Sequence, residues 1–261
     1  MTDCLRLDGA GYQVDGAILL DQVSFEVHPG QITVIVGPNG AGKSTCLALA
    51  SGAQRPTSGR VELDGQDLRM WERKALALRR AVVTQQSELA FAFSVLEVVL
   101  LGRHPHCHGL PGRSDVERCM DALRRVDMDT RATRSYTTLS GGERQRVQVA
   151  RSLVQLPDEG SASTWLLDEP SSALDIAYQH RLMKICREEA ERSRAVLMVL
   201  HDLDLALRHA DQLVLLKSGR IHAVGRPEKV LTPDNIQAVY GVQAEVHLGD
   251  GERPPHVLVL S

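Results

Sequence analysis

Eight residues near the start of the chain, Gly37-Pro38-Asn39-Gly40-Ala41-Gly42-Lys43-Ser44, have the types and spacing needed to hold a chain of phosphates. The pattern is that of a P-loop. Glycines let the backbone wrap closely and turn its N–H groups onto phosphate oxygens. A helix starting at this point adds the positive end of its dipole. Lys43 would bring a point charge to the β- and γ-phosphates, and the Ser44 hydroxyl, with Thr45 beside it, would face Mg²⁺. The bland alternative is a glycine-rich turn that happens to precede Lys-Ser. At average composition such a match arises in about one chain in a hundred of this length, so nucleotide binding is the better reading.

A second group of residues could complete that chemistry. In Leu166-Leu167-Asp168-Glu169-Pro170 an apolar run ends in two carboxylates. Asp168, at the end of a buried strand, would sit beside the P-loop and hold Mg²⁺ through water. Glu169 points differently and can activate a water for attack on the γ-phosphate. Acidic strand ends are common, and only the P-loop tips this one toward chemistry. His201 follows the apolar run Ala195–Leu200 in the same way. The run His104-Pro105-His106-Cys107-His108 holds metal-ligand types, and a metal or haem site is one reading. A proline-interrupted loop without a second cluster to close the site favours an interface loop instead.

These residues need a scaffold, and the patterns around them describe one. Val23, Phe25 and Val27 alternate with polar residues, and Arg60–Gly65 turns at Asp64-Gly65, both β signals. Ile32–Val36 is a β-branched run suited to a buried parallel strand, and Thr45–Ala50 suits a helix. From Ser94 to Val154 the helical period dominates, with Val116, Met120, Leu123 and Val126 on one face, interrupted by a loop holding Pro105, Gly109, Pro111 and Gly112. After the polar stretch 157–163, Trp165–Leu167 and Ala195–Leu200 read as strands, and Gln212–Val224 as a hairpin around Ser218-Gly219. Strands alternating with helices predict an α/β fold with a mostly parallel sheet, into which the helical middle is inserted.

The 261 residues fit one large domain of this kind, at 43% hydrophobic and 24% charged residues. A net charge of −3 gives no support to a nucleic-acid partner. Five scattered cysteines (Cys4, Cys46, Cys107, Cys119, Cys186) read as reduced thiols rather than disulfides or a zinc site. No apolar run approaches the ~18 residues of a membrane span, and Met1–Arg6 lacks the layout of a signal peptide. The chain is therefore expected in the cytoplasm, meeting a membrane only through a partner.

Leu139-Ser140-Gly141-Gly142-Glu143-Arg144-Gln145-Arg146 resembles the signature of the ATP-binding cassette (ABC) superfamily, and the resemblance covers essentially the whole chain. It implies a P-loop NTPase with a RecA-like core (1–85 and 159–235), an N-terminal antiparallel β part, a helical signature subdomain (86–158) and a short C-terminal segment (236–261). It also implies roles. Gln85, next to Gln86, matches the Q-loop glutamine, a Mg²⁺ ligand with Ser44 and Asp168 and a catalytic partner of Glu169 and His201. Ser171–Asp175 resembles the D-loop, with serine where threonine is more usual. His201 matches the switch histidine. Tyr12 matches an aromatic that stacks on adenine, an ordinary packed tyrosine being the alternative. ATP would lie between the P-loop of one subunit and Ser140, Gly141, Gly142, Glu143 and Asp175 of the other. The implied partners are a second copy, two copies of a transmembrane permease and, through the permease, a substrate-binding protein. The implied place is the cytoplasmic face of the inner membrane.

Ser87–Val95 and Leu101-Gly102-Arg103 resemble the iron-chelate, cobalamin and haemin importers, and the insertion before Trp165 and Leu200–Ala210 are most similar to the haemin importer ATPases. Ala92 and Thr84 depart from that group, which usually has proline at both places. The resemblance implies the ATP-hydrolysing subunit of a haemin importer, with siderophore or cobalamin as the alternative cargo. A nucleic-acid-associated ABC ATPase would show paired cassettes, a long coiled coil or a basic stripe. A small-molecule P-loop kinase would lack the signature.

Overall fold

In chain order the strands are β1 (Leu5–Val14), β2 (Ala17–Val27), β3 (Ile32–Val36), β4 (Ser58–Leu63), β5 (Gln66–Asp67), β6 (Arg80–Val83), β7 (Thr164–Asp168), β8 (Ala195–Val199), β9 (Gln212–Lys217), β10 (Arg220–Gly225), β11 (Ala244–His247) and β12 (His256–Val259). The structure is a computed structural model that describes residues 5–84, 92–107, 109–157, 163–250 and 253–260. Gln85, Gln86, the stretch 87–91, His108 and most of the polar insertion, 158–162, lie outside the described residues.

The central sheet has the spatial order β10-β9-β3-β8-β7-β6. It is parallel from β6 to β9, and β10 closes one edge antiparallel. β3 and β8 are buried at every residue. Both faces of the sheet are therefore covered, which is why these strands read as unbroken apolar runs. Strand alternation sends Ile35, Leu166, Leu197, Val199 and Val214 to one side, against the helix Lys43–Ala50. It sends Val34, Trp165, Leu167, Val196 and Met198 to the other, against the helices of the middle region.

The helix Lys43–Ala50 is held between two sheets. Its Cys46, Leu47, Leu49 and Ala50 share a core with Leu5, Leu7, Val23, Phe25, Val27 and Val61 of the antiparallel sheet β2-β1-β4-β5. The expected Asp-Gly turn joins β4 to β5, with Asp64 at φ 56° and Gly65 at φ 76°. The hairpin turn at Ser218 (φ 48°) and Gly219 (φ 77°) is of the same positive-φ kind. It also touches the P-loop, because Gly219 N donates to the Ala41 carbonyl at 3.0 Å.

The middle region contains the helices Val95–Leu100, Arg113–Arg125 and Gly141–Gln155. The buried face of Arg113–Arg125 keeps Leu123 of the expected stripe, with Val126 buried just beyond the helix, and is shifted at the other positions. It centres on Cys119, Ala122 and Leu123; Val116 and Met120 are only half-buried, and Val126 lies just past the helix end. The first and last of these helices both pack on it.

The His104–Cys107 loop uses its polar groups locally. His106 Nε2 lies 2.7 Å from the Gln155 carbonyl, Cys107 Sγ lies 3.6 Å from Asp115, and buried Arg103 donates to Asp115 and to the Val154 carbonyl, each at 2.9 Å. Among the described residues no group of three His, Cys, Asp or Glu side chains is placed to hold a metal. Cys46, Cys107, Cys119 and Cys186 are free, and burial pushes the thiols of Cys46 and Cys119 up to about 12. Among the described residues no helix is long and apolar enough to cross a membrane.

Candidate nucleotide site

The site forms where β3, β7 and β8 end side by side. β3 runs into the P-loop, β7 ends at Asp168, and β8 leads through Leu200 to His201. Parallel order with neighbouring strand ends brings together residues separated by over a hundred positions in sequence. This is the carboxyl-end crevice in which open α/β sheets bind ligands.

The loop backbone explains its glycines at two positions. Gly42 caps the helix in the left-handed region (φ 98°), and a Cβ there would lie 2.7 Å from Leu20 Cδ2 and 2.8 Å from the Leu19 carbonyl oxygen. Gly37 (φ 155°) passes so close to the Leu216 carbonyl that no Cβ fits. Between them Ala41 is buried, whereas Asn39 and Gly40 are exposed at the loop tip. Lys43 is buried, and its Nζ donates to the carbonyls of Gly37 at 2.9 Å and Pro38 at 3.0 Å. Burial lowers its pKa below the usual lysine value, against the opposing pull of Glu169 and Asp168.

Ser44 Oγ donates to Asp168 Oδ1 at 3.1 Å. Burial raises the Asp168 pKa and Glu169 adds to the rise, while the Ser44 hydrogen bond and Lys43 oppose it. A desolvated carboxylate beside a hydroxyl suits a hard cation, since Mg²⁺ takes oxygen ligands and usually only one or two carboxylates. Glu169 is at φ 47°, a conformation costly for a residue with a side chain. That turn swings its carboxylate away from Asp168 toward β8, where Glu169 Oε1 meets His201 Nε2 at 2.5 Å. The Ser172 N–H and hydroxyl both donate to the Glu169 carbonyl, at 3.2 and 3.0 Å, and fix the turn.

The signature segment is built differently. Ser140 caps the helix Gly141–Gln155 in a reciprocal capping box: its Oγ accepts from Glu143 N at 3.3 Å, and Glu143 Oε2 accepts from Ser140 N at 2.8 Å. The Ser140 N–H and Arg131 hold the Glu143 carboxyl below the usual glutamate range. Ser140 and Gly141 are exposed. Gly142 lies against the D-loop, where a Cβ would be 2.8 Å from the Ala173 carbonyl oxygen. Asp175 caps the next helix, Ile176–Glu191, by accepting from Tyr178 N at 2.9 Å. Tyr12 stands apart on β1, its hydroxyl donating to Gln54 Oε1 at 2.9 Å and its ring packing on the core between the sheets.

Lys43, Ser44, Asp168, Glu169 and His201 thus meet in one place, while Ser140, Gly141, Gly142, Glu143 and Asp175 form a second group at two helix starts. Sequence reading missed the Gly37 and Pro38 carbonyls that hold Lys43, and Arg131, which carries no local signal. It also passed over Asp202, an acidic residue ahead of an apolar run, which accepts from Asp204 N and Leu205 N and caps the helix after His201.

Comparison with known proteins gives consistent results. A family model described as ABC transporter matches residues 20–172. The chain is 47% identical over 246 residues to the hemin import ATP-binding protein HmuV of Gloeobacter violaceus, covering 93% of this chain and 89% of that one. It is 46% identical to HmuV of Pseudomonas entomophila, covering 93% and 94%. Among solved structures it resembles a chain described as a metal-chelate type ABC transporter in an inward-facing conformation, with TM-score 0.83, 27% identity and coverage of 100% and 98%. It also resembles a bacterial ABC transporter cassette solved as a dimer, with TM-score 0.76, 26% identity and coverage of 85% and 98%.

Proposed function

The chain belongs to the ABC transporter family, and from that premise we propose that it is the ATP-hydrolysing subunit of a haemin importer, acting as a homodimer on a membrane permease. The observation that carries the chemistry is the meeting of two pairs, Ser44–Asp168 and Glu169–His201, at the strand ends beside the P-loop. The cargo rests on the similarity to hemin import proteins over nearly the whole chain.

The P-loop N–H groups and Lys43 bind the β- and γ-phosphates of ATP. Ser44 and Asp168 would hold Mg²⁺, which neutralises phosphate charge when bound. Glu169 takes a proton from the attacking water, and His201, against Glu169 Oε1, holds that carboxylate and the γ-phosphate in line. Gln85 would complete the metal ligands, and Tyr12 would stack on adenine if its hydrogen bond to Gln54 leaves the ring face free. Ser140, Gly141 and Gly142, with the dipole of their helix, bind the γ-phosphate held by the other copy. ATP thereby joins two copies, and hydrolysis removes the phosphate that bridges them. The helical region 86–158 would carry this closure to the permease at the cytoplasmic face of the inner membrane, with a substrate-binding protein delivering cargo on the far side.

The test is ATP-driven uptake into vesicles holding the chain with its permease, offering haemin, ferric siderophores and cobalamin in turn. Haemin uptake that needs ATP and Glu169 supports the proposal. Uptake of a siderophore or cobalamin without haemin overturns the cargo and leaves the ATPase.

A further inference from the structure

The helix after His201, Leu203–His209, is only seven residues long. Isolated helices shorter than roughly 12–15 residues are marginal in water, so its position depends on what packs against it. Leu205, Ala206 and Leu207 are buried in the core. Its half-buried side is gripped from far along the chain. Asp204 Oδ1 accepts from Val257 N at 2.7 Å, and Arg208 Nε donates to the Pro255 carbonyl at 2.7 Å. Asp204 and Arg208 also face each other at 3.4 Å, one helical turn apart. The gripping element is the hairpin of β11 and β12, whose Val246 and Val257 pack on the main core. Its cross-strand partners His247 and His256 stack with ring centroids 4.7 Å apart.

We propose that Asp204 is a positioning residue for His201, and that the C-terminal hairpin is a brace that sets how the histidine faces Glu169. The inference rests on the reading of His201 given above. His201, Asp202 and Asp204 lie within four consecutive residues, and Asp202 ties the turn to the helix through the N–H groups of Asp204 and Leu205. A rotation of this two-turn helix therefore moves the histidine. The Val257 N–H bond opposes such a rotation at the histidine end of the helix, while the Pro255 carbonyl on Arg208 and Arg187 on the His209 carbonyl hold its far end. Asp204 acts through this contact and touches neither phosphate nor water.

The experiment compares Asp204→Ala and Asp204→Asn, each in the wild-type and the His201→Ala background, by single-turnover hydrolysis, KM for ATP and thermal melting. Losing one such hydrogen bond should slow Asp204→Ala roughly fivefold, with KM for ATP within about twofold of wild type. Asp204→Asn keeps an acceptor oxygen and should stay near wild type. In the His201→Ala background Asp204→Ala should add nothing, because its effect passes through the missing imidazole. Arg208→Gln, which loosens the second hold, should show the same masking if Asp204→Ala does not fold. A loss that adds in full to that of His201→Ala, or that only follows a rise in KM or a fall in folded protein, overturns the brace. Normal turnover by His201→Ala overturns the reading of His201 itself, and the brace with it.

Discussion

The P-loop half and the signature half of this chain are finished in opposite ways. The P-loop half is internally satisfied around a buried lysine: Lys43 is held by two carbonyls, Ser44 by Asp168, and Glu169 by His201. Its costs are a desolvated lysine, a desolvated aspartate and a backbone strained at Glu169. The signature half is an exposed helix start whose side chains cap their own backbone. The first pattern is that of a pre-organised catalytic centre, in which charge and geometry are set before substrate arrives. The second is that of a surface prepared to receive a charge from outside. On the proposed reading, a chain that carries both uses them together only with another copy. Within one chain the two halves still communicate, since the Glu169–Ser172 turn leads into the D-loop on which Gly142 packs.

The sharpest way to break this contrast is to disable the P-loop half without altering its shape. Glu169→Gln should keep ATP binding and lower turnover on the order of a hundredfold or more, because only basicity is lost. Native gel or light scattering should then show a dimer that persists with ATP. Near-normal turnover would mean that Glu169 is not the general base.

A subtler effect follows from Asp168. Burial raises its pKa, so it takes up a proton at a higher pH than an ordinary aspartate. On the proposed reading Mg²⁺ and the proton then compete for one carboxylate. The acid limb of kcat/KM, which reports the free enzyme, should lie above the ordinary aspartate range and move to lower pH as Mg²⁺ is raised. A limb indifferent to Mg²⁺ would remove Asp168 from the metal site.

The smallest effect belongs to the signature half. Glu143→Ala breaks the capping box and should cost about 1 kcal/mol of stability near neutral pH. The Glu143 carboxyl is held below its usual range, so its contribution is present above the ordinary glutamate pKa and is lost as pH falls through the lowered value. Chemical denaturation of both proteins should show a gap that closes in acid. A constant gap would trace the loss to packing rather than charge.

Much of this architecture is legible locally. The P-loop, the β3 run, the Asp64-Gly65 turn and the strand ends at Asp168 and His201 announce themselves because each is specified by neighbours in sequence, through backbone geometry or unbroken apolarity. What escapes depends on distant partners. Arg113–Arg125 packs on two other helices, and Arg131 meets Glu143 only after the chain turns back. The expected short C-terminal segment, 236–261, holds the end of the helix Pro233–Tyr240 and the hairpin of β11 and β12. Its bonds to Asp204 and Arg208 span 53 and 47 residues, beyond any periodic pattern.

The proposed need for two copies is tested most directly by mixing two disabled chains, Lys43→Ala, which spoils the P-loop half, and Ser140→Arg, which spoils the signature half. Each alone should be inactive in steady-state ATP hydrolysis. In the mixed dimer both defects fall in one composite site and the other site is intact, so activity should return in part. No recovery from a mixture shown to form mixed dimers, or full activity from wild-type chain held monomeric during the assay, would contradict the shared site.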